Sequence, residues 1–378
     1  MLFPKAALYA GACAILLAAC SEPAPSGKAA SSATQTPATP APMAANGPPP
    51  EVVTHDQPVE RQAIEASVSL VARPIDMAVW QASPPSPQAR RDAMIRAQVL
   101  LARAHFSPGV IAGQDGGNVK NAIAAFEAAH DLPVDGVMDP AVWAALAKDE
   151  QPAVTDYIIT PEDVKGPFLA AIPTDYKEMA KLPALGFTSA SEALAEKFHM
   201  DEALLKALNP GVDLATPGAR IVVAALGPDK LPATVTRIEV DKTRRQVRAY
   251  GDGDLLLAVY PATVGSSERP APAGEWAVRA TAPNPTYTYD PSRLTFGKAA
   301  QGKLTIKAGP NNPVGGTWID LTKDTFGIHG SPDPEIIGKR QSHGCVRLTN
   351  WDAAELGKAV TKGVEVSFVG VERGAKPA

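Results

Sequence analysis

The sequence has no excess of basic residues, no N-terminal apolar run of membrane-spanning length and few cysteines. The first two observations disfavour whole classes of protein. Basic residues are not in excess, with 36 Lys and Arg against 40 Asp and Glu, whereas a general nucleic-acid binder usually carries a strongly basic face. The apolar run near the N-terminus, Ala6 to Ala19, is too short for a membrane span of about 20 residues. Only three cysteines are present, Cys13, Cys20 and Cys345. Nucleic-acid binding and a spanning N-terminal helix are therefore disfavoured.

The first 20 residues have the pattern of an export signal. Lys5 precedes the apolar run, which has the length of a signal-peptide core. The end of the run, Leu17-Ala18-Ala19-Cys20, resembles the lipobox of bacterial lipoproteins, which implies cleavage before Cys20 and acylation of its thiol. The alternative is an ordinary signal in which Cys20 is incidental. In both cases Cys13 is removed, and with Cys20 acylated, Cys345 is the one free thiol of an exported protein, which makes it a candidate nucleophile.

Proline is what the sequence has in excess, at 37 of 378 residues. Residues 21–50 contain 8 Pro, 8 Ala, 4 Ser, 3 Thr and 2 Gly, a composition that stays extended and cannot bury a core. This segment is interpreted as a tether. The predicted division of the chain is a signal peptide at 1–19, the lipidated cysteine with a Pro/Ala-rich linker at 20–88, and folded domains at 89–150, 154–226 and 234–369.

Residues 89–150 carry apolar residues at helical spacing in three short stretches. The first runs from Ile95 to Ala104, the second from the capping residue Asn118 to about His130, and Pro140 opens the third. This region resembles the peptidoglycan-binding helical module of cell-wall enzymes in the sequence AQVLLARAHFSPGVIAG followed by AIAAFEAAHDLPVDGVMDPAVWAAL. Ala112 stands where that family often has Asp. The resemblance implies a glycan-binding module; a helical spacer that binds nothing is the alternative.

Residues 154–226 are interpreted as a second small module. The order of two helices, Asn209-Pro210 and a strand is similar to a LysM domain, a glycan-binding βααβ fold. A long proline-bearing stretch separates the first strand from Ser189, so a degenerate module used only for packing is the alternative. The predicted elements are helices at Ser191–Phe198 and Glu202–Leu208 and strands at Tyr157–Ile159 and Pro217–Val223.

From Thr234 onward, apolar and polar residues alternate, which predicts strands. A hairpin meander comes first, and prolines between Pro283 and Pro291 predict long loops before strands resume near Lys303. One helix is predicted from Asn350 to Val360, before a last strand. The whole chain is therefore predicted to be a multidomain α+β protein with a mostly β C-terminal domain.

Two motifs in this domain bring together the residue types of a cysteine nucleophile. His329-Gly330 ends one predicted strand and Ser342-His343-Gly344-Cys345-Val346-Arg347 opens the next, so His329 approaches the thiol if the strands are neighbours. A nearby imidazole and guanidinium favour the thiolate, and backbone N–H groups around Gly344 can hold an oxyanion. A metal site of His329, His343 and Cys345 lacks a second cysteine and is disfavoured.

These motifs resemble the signature of L,D-transpeptidase catalytic domains, also called the YkuD fold. Pro272–Trp276 is similar to a further segment of that family, with Ala271 where Thr is usual. The resemblance implies that Cys345 is the nucleophile and His329 the general base and acid, without a metal or other cofactor. It assigns a supporting catalytic role to His343 and the substrate or oxyanion site to Gly330, Ser342, Gly344 and Arg347.

The resemblance also implies the substrate. The family cleaves a peptide stem between its third residue, usually meso-diaminopimelate, and the terminal D-Ala, holds the stem as a thioester and passes it to an amine. The expected acceptor is another stem of peptidoglycan or an outer-membrane protein. Two alternatives stay open. In the first, water hydrolyses the same acyl-enzyme, as in a carboxypeptidase or amidase. In the second, the protein is a non-enzymatic lipoprotein that tethers the membrane to the wall.

The expected location is the periplasm, with a lipid anchor in the outer membrane. Ser21 follows Cys20, in place of the Asp that often signals inner-membrane retention in lipoproteins. At about 3.1 Å per residue in polyproline geometry, the tether reaches up to about 90 Å. Such a reach would allow an anchored enzyme to meet the wall.

Overall fold

The structure is a computed structural model that describes residues 74–266, 269–292, 302–342 and 344–372. The predicted signal peptide, Cys20 and the tether therefore lie outside the described residues, and so does His343. Within the described ranges, no helix combines the length and the apolar character needed to cross a membrane.

The first module consists of helices α1 at Pro87–Arg103, α2 at Gly117–Ala129 and α3 at Pro140–Leu146. Ser86 and Asp139 cap α1 and α3, each accepting a hydrogen bond from a first-turn N–H. The prediction that Asn118 caps α2 was wrong, because the cap is Gly116 and Asn118 lies inside the first turn. Its amide instead donates to the Ile337 carbonyl of the C-terminal domain at 2.9 Å.

The second module has the βααβ order that the sequence predicts, with one extra helix. Its elements are β1 at Val154–Ile158, α4 at Tyr176–Lys181, α5 at Ala190–Lys197, α6 at Glu202–Leu208 and β2 at Arg220–Ala224, and the two strands pair antiparallel. The extra helix α4 lies in the proline-bearing insertion between β1 and α5. Buried Asn209 donates to the carbonyls of Leu205 and Val222 at 2.8 and 2.9 Å and accepts the Val222 N–H at 2.6 Å. The resemblance to LysM stays a prediction.

The C-terminal domain contains ten strands and one helix within the described residues. They are β3 at Arg237–Asp241, β4 at Gln246–Tyr250, β5 at Leu256–Pro261, β6 at Gly274–Pro283, β7 at Tyr287–Tyr289, β8 at Leu304–Ile306, β9 at Thr317–Leu321, β10 at Gly327–His329, β11 at Val346–Arg347, α7 at Asn350–Ala359 and β12 at Glu365–Val369. Eight strands form one sheet with the order β11-β10-β9-β6-β12-β3-β4-β5, and β7 and β8 form a separate pair.

The predicted meander is present, but β6 was not predicted, and the region predicted as long loops contains β7. β6 lies inside the sheet, between β9 and β12, and β7 pairs with β8. Trp276, Val278, Ala280 and Ala282 stand at every second position of β6, so a strand signal was present in the sequence and was missed. Only Val278 is fully buried, so the other positions of this strand contribute little to the core.

The sheet curls until its two ends meet. Thr263, just after β5, forms an antiparallel bridge with Arg347 of β11, and both backbone hydrogen bonds of this bridge measure 2.9 Å. The curled sheet and α7 enclose the apolar core, in which Ile238, Ile328 and Leu356 are fully buried.

Backbone hydrogen bonds also join the three modules. Phe106 of the helical module forms a parallel bridge with Val259 of β5, and Ile111 forms one with Met200 of the second module. The side chain of Val259 belongs to the apolar core of the helical module. The described residues accordingly fall within one compact unit.

Candidate active site

The two predicted motifs lie on neighbouring strands, which is the condition named above for His329 to approach the thiol. β10 and β11 pair in parallel, with Ile328 opposite Val346 and His329 opposite Arg347. The side chains of His329, Cys345 and Arg347 line one cavity of about 560 Å³. Strand pairing thus brings together three of the residues named by the motifs.

Cys345 lies immediately before β11 with its side chain half-buried. Its thiol donates to the Thr325 carbonyl, with Sγ 3.7 Å from the oxygen. Burial raises the pKa of the thiol above its ordinary value, and this effect exceeds the opposing influence of the Gly327 N–H and the Arg347 guanidinium. The resting group is therefore a neutral thiol, and its activation requires a base.

His329 is a neutral base in the same cavity. Burial, followed by the Arg347 guanidinium, lowers its pKa to about 3, although the carbonyls of Gly330 and Val314 oppose this change. Nδ1 lies 2.7 Å from the Gly330 carbonyl oxygen, which can only accept, so the proton sits on Nδ1 and Nε2 keeps its lone pair. The Trp318 indole stacks on the ring at a centroid distance of 5.4 Å and holds its orientation.

Arg347 supplies the permanent positive charge of the cavity. Its backbone is held on both sides, by His329 in β10 and by Thr263. Its Nε is buried and has no hydrogen-bond partner within the described part of the chain. Because Arg347 lines the cavity, its guanidinium can attract an anionic group of a ligand.

Ser342 and Gly344 shape the turn that presents Cys345. The Ser342 hydroxyl donates to the Cys345 carbonyl at 2.6 Å and accepts the Gly344 N–H at 3.2 Å. Gly344 has a φ of +121°, and a Cβ at this position would lie 2.9 Å from the Phe326 ring, so glycine is required. Because Ser342 engages the Gly344 N–H, the oxyanion role predicted for this group stays a prediction.

Gly330 has a packing reason to be glycine. A Cβ there would lie 2.2 Å from Oδ1 of Asn350, an atom that accepts the Gly316 N–H at 2.9 Å. The predicted contact of Gly330 with substrate stays a prediction. His343 and Cys20 lie outside the described residues, and their predicted roles stay predictions as well.

Aromatic side chains that the sequence did not single out complete the cavity. Its lining includes Trp318 and Tyr287 of the C-terminal domain and Tyr176 of helix α4. Burial raises the pKa of Tyr287, and Tyr176 and Cys345 act in the same direction. The alternation Tyr287-Thr288-Tyr289 was an available strand signal. No local signal links Tyr176 to Cys345, because the two residues belong to different modules.

A nucleophile, a neutral base and a cation in one half-closed cavity suit acyl transfer through a covalent intermediate. The base can take the thiol proton as the sulfur attacks a carbonyl carbon. The cation can balance negative charge on the substrate. The arrangement thus has the parts that cleavage of an amide by a cysteine requires.

Two family models match this chain. Residues 235–367 match the model described as “L,D-transpeptidase catalytic domain” (YkuD), and residues 90–146 match the model described as “Putative peptidoglycan binding domain”. The first match contains the whole candidate site of the C-terminal domain. The second coincides with helices α1 to α3.

Similar proteins carry related names. The chain is 31% identical over 180 residues to “Putative L,D-transpeptidase YkuD” of Bacillus licheniformis, and the match covers 47% of this chain and 92% of that protein. It is 30% identical over 189 residues to “Probable L,D-transpeptidase YbiS” of Escherichia coli K12, covering 49% and 61% of the respective chains.

Solved structures of similar proteins include an L,D-transpeptidase from Mycobacterium smegmatis, with 22% identity, a TM-score of 0.30 and coverage of 40% of this chain and 64% of that one. Another is the catalytic domain of the E. faecium L,D-transpeptidase acylated by ertapenem. It has 24% identity and a TM-score of 0.29, and the match covers 36% of this chain and 98% of that one.

Proposed function

The chain belongs to the L,D-transpeptidase family of enzymes that cross-link cell-wall peptidoglycan, and from this premise we propose that Cys345 is its nucleophile. The observation that carries the proposal is the shared cavity of Cys345, His329 and Arg347. The acyl donor is a tetrapeptide stem of peptidoglycan. Its third residue becomes bound to the sulfur, and its terminal D-Ala leaves.

The proton path follows from the two resting states. Because the thiol is neutral and His329 is neutral, Nε2 takes the thiol proton while sulfur attacks the carbonyl carbon and the C–S bond forms. The imidazolium then gives this proton to the nitrogen of D-Ala as the C–N bond breaks. An acceptor amine attacks the thioester next, a new amide forms, and the proton lost by the amine returns to sulfur through His329.

The acceptor is the amine of another stem or of an outer-membrane protein. Hydrolysis of the same thioester by water is the alternative, and it would make the protein a carboxypeptidase. Both reactions use every residue named above, and they differ in the molecule that reaches the thioester. Mass spectrometry of purified wall fragments separates them, since transfer yields cross-linked dimers and hydrolysis yields trimmed monomers.

A carbapenem, a strained amide that mimics the donor bond, tests the nucleophile directly. The expected result is one adduct per chain on the wild type, read by intact-protein mass spectrometry and located on Cys345 by peptide mapping. Cys345→Ala should form none. Cys20→Ala is the matched control and should form the same adduct as the wild type. An adduct on Cys345→Ala would refute the assignment.

We further propose that the enzyme works in the periplasm as a lipoprotein of the outer membrane, acylated at Cys20. The sequence pattern around Cys20 and the proline-rich composition of residues 21–50 support this proposal. The helical module at 90–146 would then hold the enzyme on peptidoglycan. Membrane fractionation of the wild type and Cys20→Ala is the test, and equal recovery of both proteins in the soluble fraction would contradict the anchor.

A further inference from the structure

One wall of the catalytic cavity comes from outside the catalytic domain. The insertion between β1 and α5, residues 159–189, precedes that domain in sequence and contains helix α4. It nevertheless lines the same cavity as Cys345. The insertion residues in the lining are Ile172, Pro173, Thr174, Tyr176 and Met179.

The insertion is fastened to the catalytic domain at its C-terminal end. Leu185 is fully buried; its N–H donates to the Ala308 carbonyl and its carbonyl accepts the Asn311 N–H, both at 3.0 Å. The Asn311 amide donates to the Gly186 carbonyl, also at 3.0 Å. The chain approaches so closely that a Cβ on Gly309 would lie 2.1 Å from the Leu185 oxygen. These contacts hold α4 at the cavity.

Tyr176 is the aromatic residue that the insertion contributes to the cavity lining. Its ring lies against those of Tyr287 and Tyr289, with centroid distances of 5.7 and 4.9 Å. Burial raises the pKa of the Tyr176 phenol, so its hydroxyl keeps its proton at neutral pH and can donate a hydrogen bond.

Arg347 lines the same cavity, and its charge opposes the effect of burial on the pKa of the Tyr176 phenol. The guanidinium offers a positive charge to a ligand, and the Tyr176 hydroxyl offers a hydrogen-bond donor. Among the described residues that line the cavity, Asp333 is the one carboxylate and Arg347 is the one residue with a permanent positive charge. A carboxylate is the anionic group of peptide stems that such a set recognises.

We propose that Tyr176 is a specificity-determining residue, contributed to the donor site by the preceding module, which donates a hydrogen bond to a carboxylate of the acyl donor held by Arg347. This inference rests on the proposed function, because it concerns the substrate of the same cavity. Two carboxylates of the stem have this chemistry: the C-terminal carboxylate of D-Ala and the side-chain carboxylate of diaminopimelate. The source is decided by the substrates of the test.

The test compares the full-length wild type, Tyr176→Phe and the control Tyr157→Phe. Tyr176→Phe keeps the ring packing and removes the hydroxyl. Tyr157→Phe removes a hydroxyl from the same module outside the cavity lining, where it contacts Asp163 and Lys197. Each protein is assayed for kcat and KM on three substrates: a diaminopimelate tetrapeptide stem, its C-terminal amide and its diaminopimelate side-chain amide.

The wild type should discriminate against one of the two amides, and that amide identifies the recognised carboxylate. Tyr176→Phe should raise KM for the free acid about tenfold, the size expected for a lost hydrogen bond to a charged group, with kcat within about twofold. Its discrimination against the amide should shrink by the same factor. Tyr157→Phe should match the wild type in all three substrates.

Discrimination is a ratio of two substrates measured on one preparation, so it does not depend on the folded fraction of a variant. The inference is overturned if Tyr176→Phe keeps the discrimination of the wild type, or if the wild type treats all three substrates alike. Labelling of Cys345 by a carbapenem is measured in parallel. If the wild type fails to form that adduct, the proposed function is refuted. If it forms the adduct and Tyr176→Phe discriminates as the wild type does, only the role of Tyr176 is refuted.

Discussion

Replacing Asp352 by Asn should change how the stability of the protein depends on pH. Asp352 is 5% exposed in the first turn of α7, and its carboxylate accepts a hydrogen bond from Ser107 of the helical module at 3.1 Å. Burial raises its pKa from 3.8 to about 7; the Glu355 carboxylate adds to this effect, while hydrogen bonds from Thr349 and Ser107 oppose it.

The sign follows from proton linkage. Between pH 3.8 and about 7, the folded protein keeps a proton on Asp352 that the unfolded chain has already released, so the free energy of unfolding falls as the pH rises. Each tenfold change in proton affinity is worth about 1.4 kcal/mol, so the wild type loses about 4 kcal/mol through this group by pH 8. Asp352→Asn has no proton to lose and should escape this loss.

Urea unfolding at pH 4, 6 and 8, followed by tryptophan fluorescence, measures the effect. The quantity to plot is the free energy of unfolding of Asp352→Asn minus that of the wild type, because the contribution of Glu196, whose pKa burial also raises to about 7, is common to both proteins and cancels. This difference should rise by about 4 kcal/mol from pH 4 to pH 8. A difference that is constant across the range would refute the reasoning. Ser107→Ala removes a hydrogen-bond donor that favours the ionised form of Asp352. The free energy of unfolding of this variant should therefore fall by more between pH 4 and pH 8 than that of the wild type.

Three further predictions concern the site, the insertion and the second module. Because the pKa of His329 is lowered to about 3, its ring stays neutral from pH 8 to pH 5, so the rate of carbapenem acylation should not change over that range. A tenfold fall in the rate per pH unit would contradict this and indicate that preformed thiolate is the reacting species. In Gly309→Ala the new Cβ should displace Leu185, lower the free energy of unfolding by about 2 kcal/mol and speed proteolysis within residues 159–189. An unchanged melting temperature would contradict this prediction. Asn209→Ala should lower the free energy of unfolding by about 2–4 kcal/mol, because it leaves two buried carbonyls and the Val222 N–H without their hydrogen-bond partner. Asn209→Asp should not restore stability, because a carboxylate cannot donate to those carbonyls.

Local patterns predicted the elements that pack one face on a core. The bounds of α6, Glu202–Leu208, agree with the sequence prediction, because apolar spacing and turn residues frame this element. The neighbourhood of His329 and Cys345 was predictable for a similar reason, since each ends or opens a strand within a short stretch of chain. These are features for which the determining contacts lie close in sequence.

Features set by contacts between modules could not be read in this way. Asn118 looked like a helix cap, but its amide bonds to Ile337 of the catalytic domain, and Gly116 caps the helix. Tyr176 lies in a stretch that looked like an irregular interruption of the second module. Its position at the cavity depends on the buried anchor at Leu185, and nothing near Tyr176 in sequence reports that anchor. The sequence around Gly330 likewise does not report that Asn350 fills the space which a side chain at position 330 would need.

The backbone bridge between Phe106 and Val259 also affects solubility. β5 is an outer strand of the sheet, and an uncovered outer strand offers free N–H and carbonyl groups to another chain, which is how aggregation through strand edges begins. Here the Val259 N–H donates to the His105 carbonyl at 2.9 Å, and the Val259 carbonyl accepts the Ser107 N–H at 2.8 Å. A protein shortened to residues 234–372 would expose both groups and the apolar Val259 side chain. The helical module therefore protects an aggregation-prone edge of the catalytic domain, in addition to any contact it makes with the wall.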